Sequence, residues 1–289
     1  MSAGVRYGRT EPGAPRADAA PPAVPQAEPP APAAAPLLAR IVPGDVVCRE
    51  FTYDPDGVVL HPDEAALVAR SVETRRREFT TGRHCAHLAL DALGRPAPAI
   101  LPDAKGSPGW PAGVVGSITH CSGYRAAAVA RAARVRSVGI DATPGTPLPD
   151  GVLEAVALPA ERRRVAELLA RWPEVRWDSA LFSAKESIYK TWYPLQRAPL
   201  EFEDADVVFH RADTDTDADT DTGTDTDTDT DTDTDTATDA TADTTQGSGT
   251  FTARILPHVR RRDFPRELRG RWLARDGLVL TAITLRSGP

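Results

Sequence analysis

Apolar residues recur at helical spacing in three stretches of the chain. The first covers residues 62–93 and is followed by Gly94, a residue type that commonly ends helices. The other two cover residues 159–169 and 177–192. A repeat of apolar positions every three or four residues gives a helix one buried face. We therefore expect a helix in each of these stretches.

Short apolar runs bounded by turn residues predict β-strands elsewhere in the chain. They fall at residues 114–119, 126–130, 137–140, 207–209, 251–255, 270–274 and 278–285. Strands and helices do not alternate strictly, which favours an α+β fold over a Rossmann-type alternation. The runs at 207–209 and 251–255 flank a long polar stretch, as the two strands of a hairpin flank an enlarged turn.

Two segments show no hydrophobic periodicity. Residues 1–36 are dominated by Pro and Ala, and an Asp-Thr tract occupies most of residues 212–248. Neither composition can bury enough apolar surface to offset the entropy lost on ordering. We therefore predict a disordered N-terminal tail and a disordered insertion. The acidic tract could also mimic a polyanion, although a tolerated low-complexity insertion is the simpler interpretation.

The acidic tract changes how the charge of the chain is interpreted. The 289 residues include 34 Lys and Arg and 41 Asp and Glu, for a net charge of −7. Thirteen of the acidic residues lie between Asp213 and Asp243, and without them 34 basic and 28 acidic residues leave a balance of +6. A basic body favours anionic partners, or it simply keeps an Ala-rich protein soluble.

Length, hydropathy and cysteine content narrow the class of protein. With 41% hydrophobic residues, the chain can bury one large core or two modest ones. It shows neither a membrane-spanning apolar run nor the apolar stretch of a secretory signal, so we expect a cytoplasmic protein. Cys48, Cys85 and Cys121 are odd in number and widely spaced, which indicates free thiols.

Two predicted strands end in residues that could act on a phosphate or a metal. One ends in Thr119 and His120, where an exposed imidazole could bind or protonate a phosphate oxygen. The other ends in Asp141, and a carboxylate held rigidly at a strand end suits a hard cation such as Mg²⁺. Taken alone, a histidine is more often a surface residue, and many strands end in an aspartate for turn reasons.

The predicted helix at 177–192 contains two of the three lysines in the chain. Lys185 and Lys190 flank Glu186 in an aromatic setting, and the third lysine is Lys105. Glu186 and Lys190 share one helix face, a spacing that also occurs in ordinary stabilising ion pairs. Lysine is a compact point charge on a flexible stem, so positions that use it in an Arg-rich chain could require that geometry.

Together these motifs resemble the 4′-phosphopantetheinyl transferase superfamily, and within it the group typified by enterobactin synthase component D, which activates siderophore and polyketide synthases. The resemblance covers nearly the whole folded part of the chain, and the order and spacing of several motifs agree. These are Arg75-Arg76-Arg77-Glu78-Phe79, Gly82-Arg83-His84, Lys105-Gly106, residues 116–124, 138–141 and 182–190, and Phe202-Glu203-Asp204-Ala205.

The resemblance implies two similar α/β halves with a pseudo-twofold relation, residues 37–136 and 137–289, and an active site in the cleft between them. It implies a magnesium-dependent enzyme that transfers phosphopantetheine from coenzyme A to a serine of an apo carrier protein and releases adenosine 3′,5′-bisphosphate. The carrier proteins would be acidic acyl or peptidyl carriers of siderophore, nonribosomal peptide or polyketide synthesis. We expect the enzyme to be monomeric.

The resemblance also assigns roles to residues by their positions in the motifs. Asp141 and Glu186 would ligate Mg²⁺ on the pyrophosphate of coenzyme A, which Lys190 would also contact. His120 would touch the phosphate of the leaving group, and Glu186 would draw the proton from the attacking serine. The other expected coenzyme-binding residues are Arg75, Arg83, Lys105 and Gly106 at the 3′-phosphate and adenine end, together with Thr119 and Lys185.

One position departs from the pattern of the family. The expected metal-binding stretch reads Asp141-Ala142-Thr143, and Thr143 stands where a third acidic ligand is usual. Because Mg²⁺ commonly binds one or two carboxylates plus phosphates and waters, we expect a weaker site that still functions. The alternative is a non-catalytic module that binds coenzyme A or carrier proteins without turnover.

Residue spacing disfavours two further classes of function. The His and Cys residues near the motifs lack the paired spacing of a zinc site. The cluster Arg260-Arg261-Arg262 is too short to predict a nucleic-acid interface. We therefore expect coenzyme A and carrier proteins as partners, and neither nucleic acid nor a membrane.

Overall fold

The computed structural model describes residues 36–212, 245–259, 261 and 263–287. The helices in these ranges are α1 (Pro62–Val68), α2 (Glu73–Ala92), α3 (Val152–Val156), α4 (Pro159–Arg171) and α5 (Trp177–Gln196). The strands are β1 (Val46–Phe51), β2 (Val114–Cys121), β3 (Tyr124–Arg131), β4 (Val135–Pro144), β5 (Ala205–Arg211), β6 (Thr245–Ile255), β7 (Glu267–Arg275) and β8 (Leu278–Arg286). This combination of helices and antiparallel sheets confirms the predicted α+β fold.

The predicted disordered segments fall largely outside the described residues. This applies to residues 1–35 of the tail and to residues 213–244 of the Asp-Thr insertion. β6 begins at Thr245, so the last residues of the range predicted as insertion belong to a strand. β5 and β6 pair as antiparallel neighbours, with Arg211 opposite Gly249, as predicted for a hairpin with an enlarged turn.

The predicted helix at 62–93 is interrupted. α1 ends at Val68, and Val72 is extended with ψ 155° before α2 begins at Glu73. The predicted end of the helix is confirmed, because Leu93 is the C-cap of α2 and Gly94 follows it with a φ of +67°. This left-handed conformation is one that glycine adopts without steric cost.

The strands form two antiparallel sheets with helices on their outer faces. The first has the order β1-β3-β2 and the second the order β4-β8-β7-β6-β5. α2 packs on one face of the first sheet through Cys85, Ala86, Ala89 and Leu90, against Ala127 and Val129 of β3. α5 packs on the second sheet through Trp177, Ile188 and Trp192, which join a core with Trp272 and Phe251.

The two sheets meet where β2 lies beside β4. Alternate residues of β3 and β4 form an apolar layer there, including Ala126, Ala128, Val138 and Ile140. Ser117 Oγ accepts a hydrogen bond from the Ile140 amide at 3.2 Å, and Thr119 Oγ1 accepts one from the Ala142 amide at 3.1 Å. These side-chain hydroxyls satisfy β4 amides in the way that main-chain carbonyls would in a continuous sheet. The ends of β2 and β4 are thereby held next to each other.

Two further properties bear on the class of protein. In the part of the chain that the structure describes, no helix combines the length and apolar character needed to cross a lipid bilayer. Cys48, Cys85 and Cys121 are free thiols.

Candidate active site

Asp141 and Lys190 meet where α5 crosses β4. Lys190 Nζ lies 2.6 Å from Asp141 Oδ1 and also donates to the Ile140 carbonyl at 3.2 Å. Asp141 is only 6% exposed, and Thr119 Oγ1 donates a hydrogen bond to its Oδ1 at 3.2 Å. One oxygen of the carboxylate therefore has two donors, which fix the orientation of Asp141 toward α5.

Gly139 permits the close approach of α5 to β4. A Cβ atom at this position would lie 2.1 Å from the Ser187 carbonyl oxygen and 2.3 Å from Thr191 Oγ1. Because side chains alternate along a strand, Gly139, Asp141 and Thr143 share the face of β4 that turns toward α5. The glycine thus provides the space that allows Lys190 to reach Asp141.

Glu186 lies one helical turn before Lys190 on the same face of α5. Burial raises the pKa of the Glu186 carboxyl. The positive charge of Lys190 opposes this shift, and the negative charge of Asp141 adds to it. A carboxylate with a raised pKa holds a proton more readily than an exposed one, which suits a general base. Glu186 also lines both cavities described below.

His120 forms a cluster with two residues of α2. Arg75 Nη1 lies 2.9 Å from His120 Nε2, and Glu78 Oε2 lies 3.6 Å from His120 Nδ1. Because a guanidinium can only donate, Nε2 must be the unprotonated acceptor nitrogen. Burial lowers the pKa of His120, and the positive charge of Arg75 lowers it further while Glu78 opposes the shift. The imidazole is therefore neutral near pH 7 in this arrangement.

A cavity of about 430 Å³ connects most of the predicted coenzyme-binding residues. It lies between α2, β2, the 102–108 loop and the C-terminal half of α5. Its lining includes seven residues predicted from the motifs: Arg75, Arg83, Lys105, Gly106, His120, Glu186 and Lys190. Arg75, Arg83, Lys105 and Lys190 carry positive charge, so the cavity is suited to a polyanionic ligand.

The 102–108 loop is shaped by Asp103. Its Oδ1 accepts hydrogen bonds from the amides of Lys105 at 2.9 Å and Ser107 at 3.0 Å, and Gly106 has a φ of +87°. The other carboxylate oxygen of Asp103 pairs with Arg197 at the C-terminal end of α5. The loop, which lines the cavity, is therefore tied to the C-terminal end of α5.

Lys185, which the motifs predict to bind the coenzyme, does not line the cavity of about 430 Å³, and that role stays a prediction. Its side chain is 2% exposed, and Nζ lies 2.7 Å from Glu161 Oε2. Nζ also donates to the carbonyls of Phe202 at 2.6 Å and Ala205 at 3.0 Å. Burial lowers the pKa of Lys185, although Glu161 opposes the shift. All its donors are engaged in holding α5 to α4 and β5.

Thr119 and Ala142 do not line this cavity either, and their predicted roles at the coenzyme and the metal stay predictions. Thr119 is 2% exposed and uses its hydroxyl to bond Asp141 and the Ala142 amide. Ala142 is 4% exposed and belongs to the apolar layer between the sheets. Thr119 therefore positions Asp141, and Ala142 could offer a metal only its backbone.

The candidate metal centre contains two carboxylates, Asp141 and Glu186. Among the described residues, no group of three or more His, Cys, Asp or Glu side chains is arranged to hold a metal ion. Thr143 follows Asp141 on the same face of β4 and is partly buried. Two hard oxygen donors beside a basic cavity fit Mg²⁺ when phosphate oxygens and waters complete its shell.

A second cavity of about 210 Å³ also borders Glu186. Its lining is Lys185, Glu186, Ile188, Tyr189, Leu200, Glu201, Phe202 and Ala205. Glu186 and Tyr189 line both cavities. A ligand whose phosphate lies at Glu186 therefore has space for one end in the basic cavity and for the other in this smaller one.

Sequence reasoning missed several residues of the larger cavity. Glu78, Tyr189, Tyr193 and Pro194 line it, although none was assigned a role from the motifs. A signal existed for three of them, since Tyr189, Tyr193 and Pro194 follow Glu186 on α5 at helical spacing. Glu78 lies inside the motif at residues 75–79. A carboxylate gives no sequence signal for contact with a histidine 42 positions away.

Comparison with known proteins gives matches over most of the chain. The model of the 4′-phosphopantetheinyl transferase N-terminal domain matches residues 63–130, and that of the 4′-phosphopantetheinyl transferase superfamily matches residues 137–241. The chain is 46% identical over 257 residues to 4′-phosphopantetheinyl transferase Svp of Streptomyces mobaraensis, covering 86% of this chain and 89% of that protein. It is 44% identical over 256 residues to 4′-phosphopantetheinyl transferase PptT of Mycobacterium tuberculosis, covering 86% and 98%.

Proposed function

The chain belongs to the 4′-phosphopantetheinyl transferase superfamily, and we propose that it transfers the phosphopantetheine arm of coenzyme A to a serine of apo carrier proteins, with Mg²⁺ at Asp141 and Glu186. The observation that carries the proposal is the position of Glu186. It lies beside Asp141 and Lys190 and lines both the basic cavity and the smaller one.

Coenzyme A has the shape and charge that the two cavities require. Its nucleotide end carries a pyrophosphate and a 3′-phosphate, which match the basic side chains of the larger cavity. Arg75, Arg83, Lys105 and Gly106 would hold the 3′-phosphate and adenine end. With the pyrophosphate near Glu186 and Lys190, the uncharged pantetheine arm would extend into the smaller cavity beside Tyr189 and Leu200.

The reaction is a displacement at the β-phosphorus of coenzyme A. The serine oxygen forms a bond to that phosphorus, and the bond between the phosphorus and the bridging pyrophosphate oxygen breaks. Adenosine 3′,5′-bisphosphate leaves with the electron pair of the broken bond. Glu186 takes the serine proton directly or through a water, and its raised pKa strengthens it as a base.

The leaving group gains negative charge as the bond breaks, so the rate depends on the positive groups around it. Lys190 and Arg75 supply fixed positive charge. His120 Nε2 lies 2.9 Å from Arg75 Nη1, so the imidazole ring lies beside one of these charges. When bound, Mg²⁺ would neutralise charge on the pyrophosphate oxygens. Lys190 now contacts Asp141, and this carboxylate would then be shared between the lysine and the metal.

The carrier proteins are proposed from charge and from likeness to the family. Outside the Asp-Thr tract the chain has a balance of +6, which would attract acidic acyl or peptidyl carrier proteins and speed their encounter. Siderophore, nonribosomal peptide and polyketide synthesis are the pathways in which we place such carriers. We propose that the enzyme is cytoplasmic and acts as a monomer.

The decisive experiment incubates the full-length protein with coenzyme A, Mg²⁺ and an apo carrier domain and measures the intact mass of the carrier. We expect a gain of one phosphopantetheine that depends on Mg²⁺ and on the carrier serine. A carrier domain with that serine changed to alanine is the control. Thr143 in place of a third acidic ligand favours one alternative, a module that binds coenzyme A without turnover. Saturable binding of coenzyme A with no change in carrier mass would establish the alternative.

A further inference from the structure

Glu64 is a buried carboxylate that belongs to the lining of neither cavity. It lies on α1 and is 0% exposed. Oε1 accepts a hydrogen bond from the Ile100 amide at 2.8 Å, and the two oxygens lie 2.9 and 3.0 Å from His87 Nε2. Arg83 Nε lies 3.9 Å from Oε1. One carboxylate therefore links α1, α2 and the segment that begins at Ile100.

Two partners of Glu64 belong to chain segments that line the larger cavity. Arg83 lines the cavity itself, from the buried side of α2. Ile100 begins the segment that carries Lys105 and Gly106, which also line the cavity. The cationic groups at this end of the cavity thus come from two separate chain segments, and both are fixed to Glu64.

The Arg83 guanidinium is held mainly by charge and stacking. Arg83 is 7% exposed, and its Cζ lies 4.5 Å from the centre of the Phe79 ring. Its buried Nε has no hydrogen-bond partner among the described residues. Burial lowers the pKa of Arg83, and Glu64 opposes this shift. A buried guanidinium with an unpaired donor is costly unless a neighbouring negative charge offsets the burial. Glu64 supplies that charge.

We propose that Glu64 is a positioning residue that sets the preference of the enzyme for the 3′-phosphate of coenzyme A, by holding Arg83 and the 100–106 segment in place around it. This inference rests on the proposed function, in which these residues contact the 3′-phosphate and adenine end. Glu64 itself does not line the cavity and acts through its partners. Loss of its charge should therefore affect ligands that carry a 3′-phosphate and spare those that lack it.

The test compares coenzyme A with dephospho-coenzyme A, which lacks only the 3′-phosphate, in the native protein and in Glu64→Gln. The glutamine keeps the shape and an acceptor for the Ile100 amide but removes the charge. We expect KM for coenzyme A to rise about tenfold, the scale of coupling between neighbouring residues, with kcat nearly unchanged. KM for dephospho-coenzyme A should stay near its native value. In an Arg83→Gln background, Glu64→Gln should raise KM for coenzyme A only a little further.

Glu161→Gln is the matched control, because Glu161 is an equally buried carboxylate that pairs with Lys185 away from this cavity. It should lower stability yet keep the native preference between the two coenzymes. If a folded Glu64→Gln protein also keeps that preference, Glu64 is only a structural residue and the proposal is wrong. The proposal is also wrong if the effects of Glu64→Gln and Arg83→Gln on KM for coenzyme A are fully additive.

Two further measurements cover the case in which Glu64→Gln does not fold and separate this proposal from the proposed function. If Glu64→Gln does not fold, Glu64→Asp retains the charge but withdraws it from Ile100 and Arg83, and an unchanged preference there would equally refute the proposal. Calorimetric binding of both coenzymes to the full-length protein separates this proposal from the proposed function. A native protein that transfers nothing would defeat the proposed function, while its binding preference would still test Glu64.

Discussion

At the scale of single residues, Glu186 combines two tasks that require a negative charge. It is proposed as a metal ligand and as the base, and the raised pKa of its carboxyl comes mainly from burial beside Asp141. We predict that Glu186→Gln loses transfer activity, on the order of a hundredfold or more in rate, because one charge in the transition state is worth several kcal/mol. The measurement is the rate of carrier modification by intact mass, with the melting temperature as a check on folding.

Glu167→Gln is the matched control for this change, because Glu167 is an exposed glutamate on α4 outside both cavities near Glu186. It should transfer at the native rate. A folded Glu186→Gln protein with near-native turnover would show that Glu186 has neither task.

His120 should make stability depend on pH. Burial and Arg75 lower its pKa in the folded state, so the unfolded chain takes up a proton first as the pH falls. The contribution of the neutral imidazole to stability is complete above the unfolded pKa of about 6.5 and is lost as the pH falls below it. We predict that His120→Asn loses less stability than the native protein between about pH 7.5 and 5.5, measured by urea unfolding. Parallel curves would show that the His120 pKa is not lowered.

Thr143 is the residue at which this chain departs from its family, and it can be tested by restoring the acid. Thr143 and Asp141 share one face of β4, so a carboxylate at 143 could face the same ion as Asp141. We predict that Thr143→Glu lowers the Mg²⁺ concentration needed for half-maximal transfer. The measurement is a Mg²⁺ titration of the two proteins side by side, with Thr143→Gln as the uncharged control. Superimposable titrations would place Thr143 outside the metal shell.

At the scale of elements, the periodicity of apolar positions predicted most helices and strands, but it missed those that depend on distant partners. β1 contains Arg49 and Glu50, which weaken its pattern. Glu50 is satisfied by the Leu37 and Leu38 amides at 2.6 and 2.9 Å and by the Tyr124 hydroxyl at 2.8 Å. These donors come from other segments, so local sequence could not indicate that a charged residue fits a strand at this position.

The candidate site was predictable to a similar degree. The motifs identified Asp141, Glu186, Lys190 and His120, and the structure places Lys190 against Asp141 and near His120. Lys185 was assigned to the coenzyme because a lysine beside Glu186 looks the same in sequence whichever way it points. Its position on α5 turns it toward Glu161, and its contact with the coenzyme stays a prediction. Helical spacing sets the face of a side chain, but the packing of the helix decides what that face meets.

The close contact between α5 and β4 depends on the space left by Gly139. A methyl group at Gly139 would overlap the Ser187 carbonyl and Thr191 Oγ1, which belong to the backbone and to a buried side chain of α5. We predict that Gly139→Ala moves α5 outward, costs about 1–3 kcal/mol of stability as overpacking does, and lowers the transfer rate by separating Lys190 from Asp141. Chemical denaturation and the transfer assay measure the two effects.

Gly44→Ala is the matched control for this substitution. A Cβ at Gly44 would meet no atom within 4 Å, so this variant should keep native stability and rate. If Gly139→Ala retained both as well, the close approach of α5 would not be what sets the geometry of the site.

At the scale of the whole molecule, the Asp-Thr tract reverses the net charge of the chain and lies in the connection between two paired strands, β5 and β6. β5 ends at Arg211, opposite Gly249 of β6. Deleting Thr214 to Thr241 removes eleven of the thirteen aspartates in the tract and changes the net charge from −7 to +4. The entropy of loop closure depends only weakly on loop length, so the shorter connection should fold as well as the long one.

We therefore predict that the deletion leaves the melting temperature and the turnover at saturating carrier nearly unchanged. Its effect should appear in encounter with an acidic carrier protein, because opposite net charges speed association and like charges slow it. At low ionic strength kcat/KM for the carrier should rise on deletion, and the difference should fade near physiological salt, where the screening length is about 8 Å. A full-length variant with the same aspartates changed to asparagine separates charge from length and should behave like the deletion. A large loss of stability or turnover in the deletion alone would mean that the tract contacts the folded body, and the argument from loop entropy would then fail.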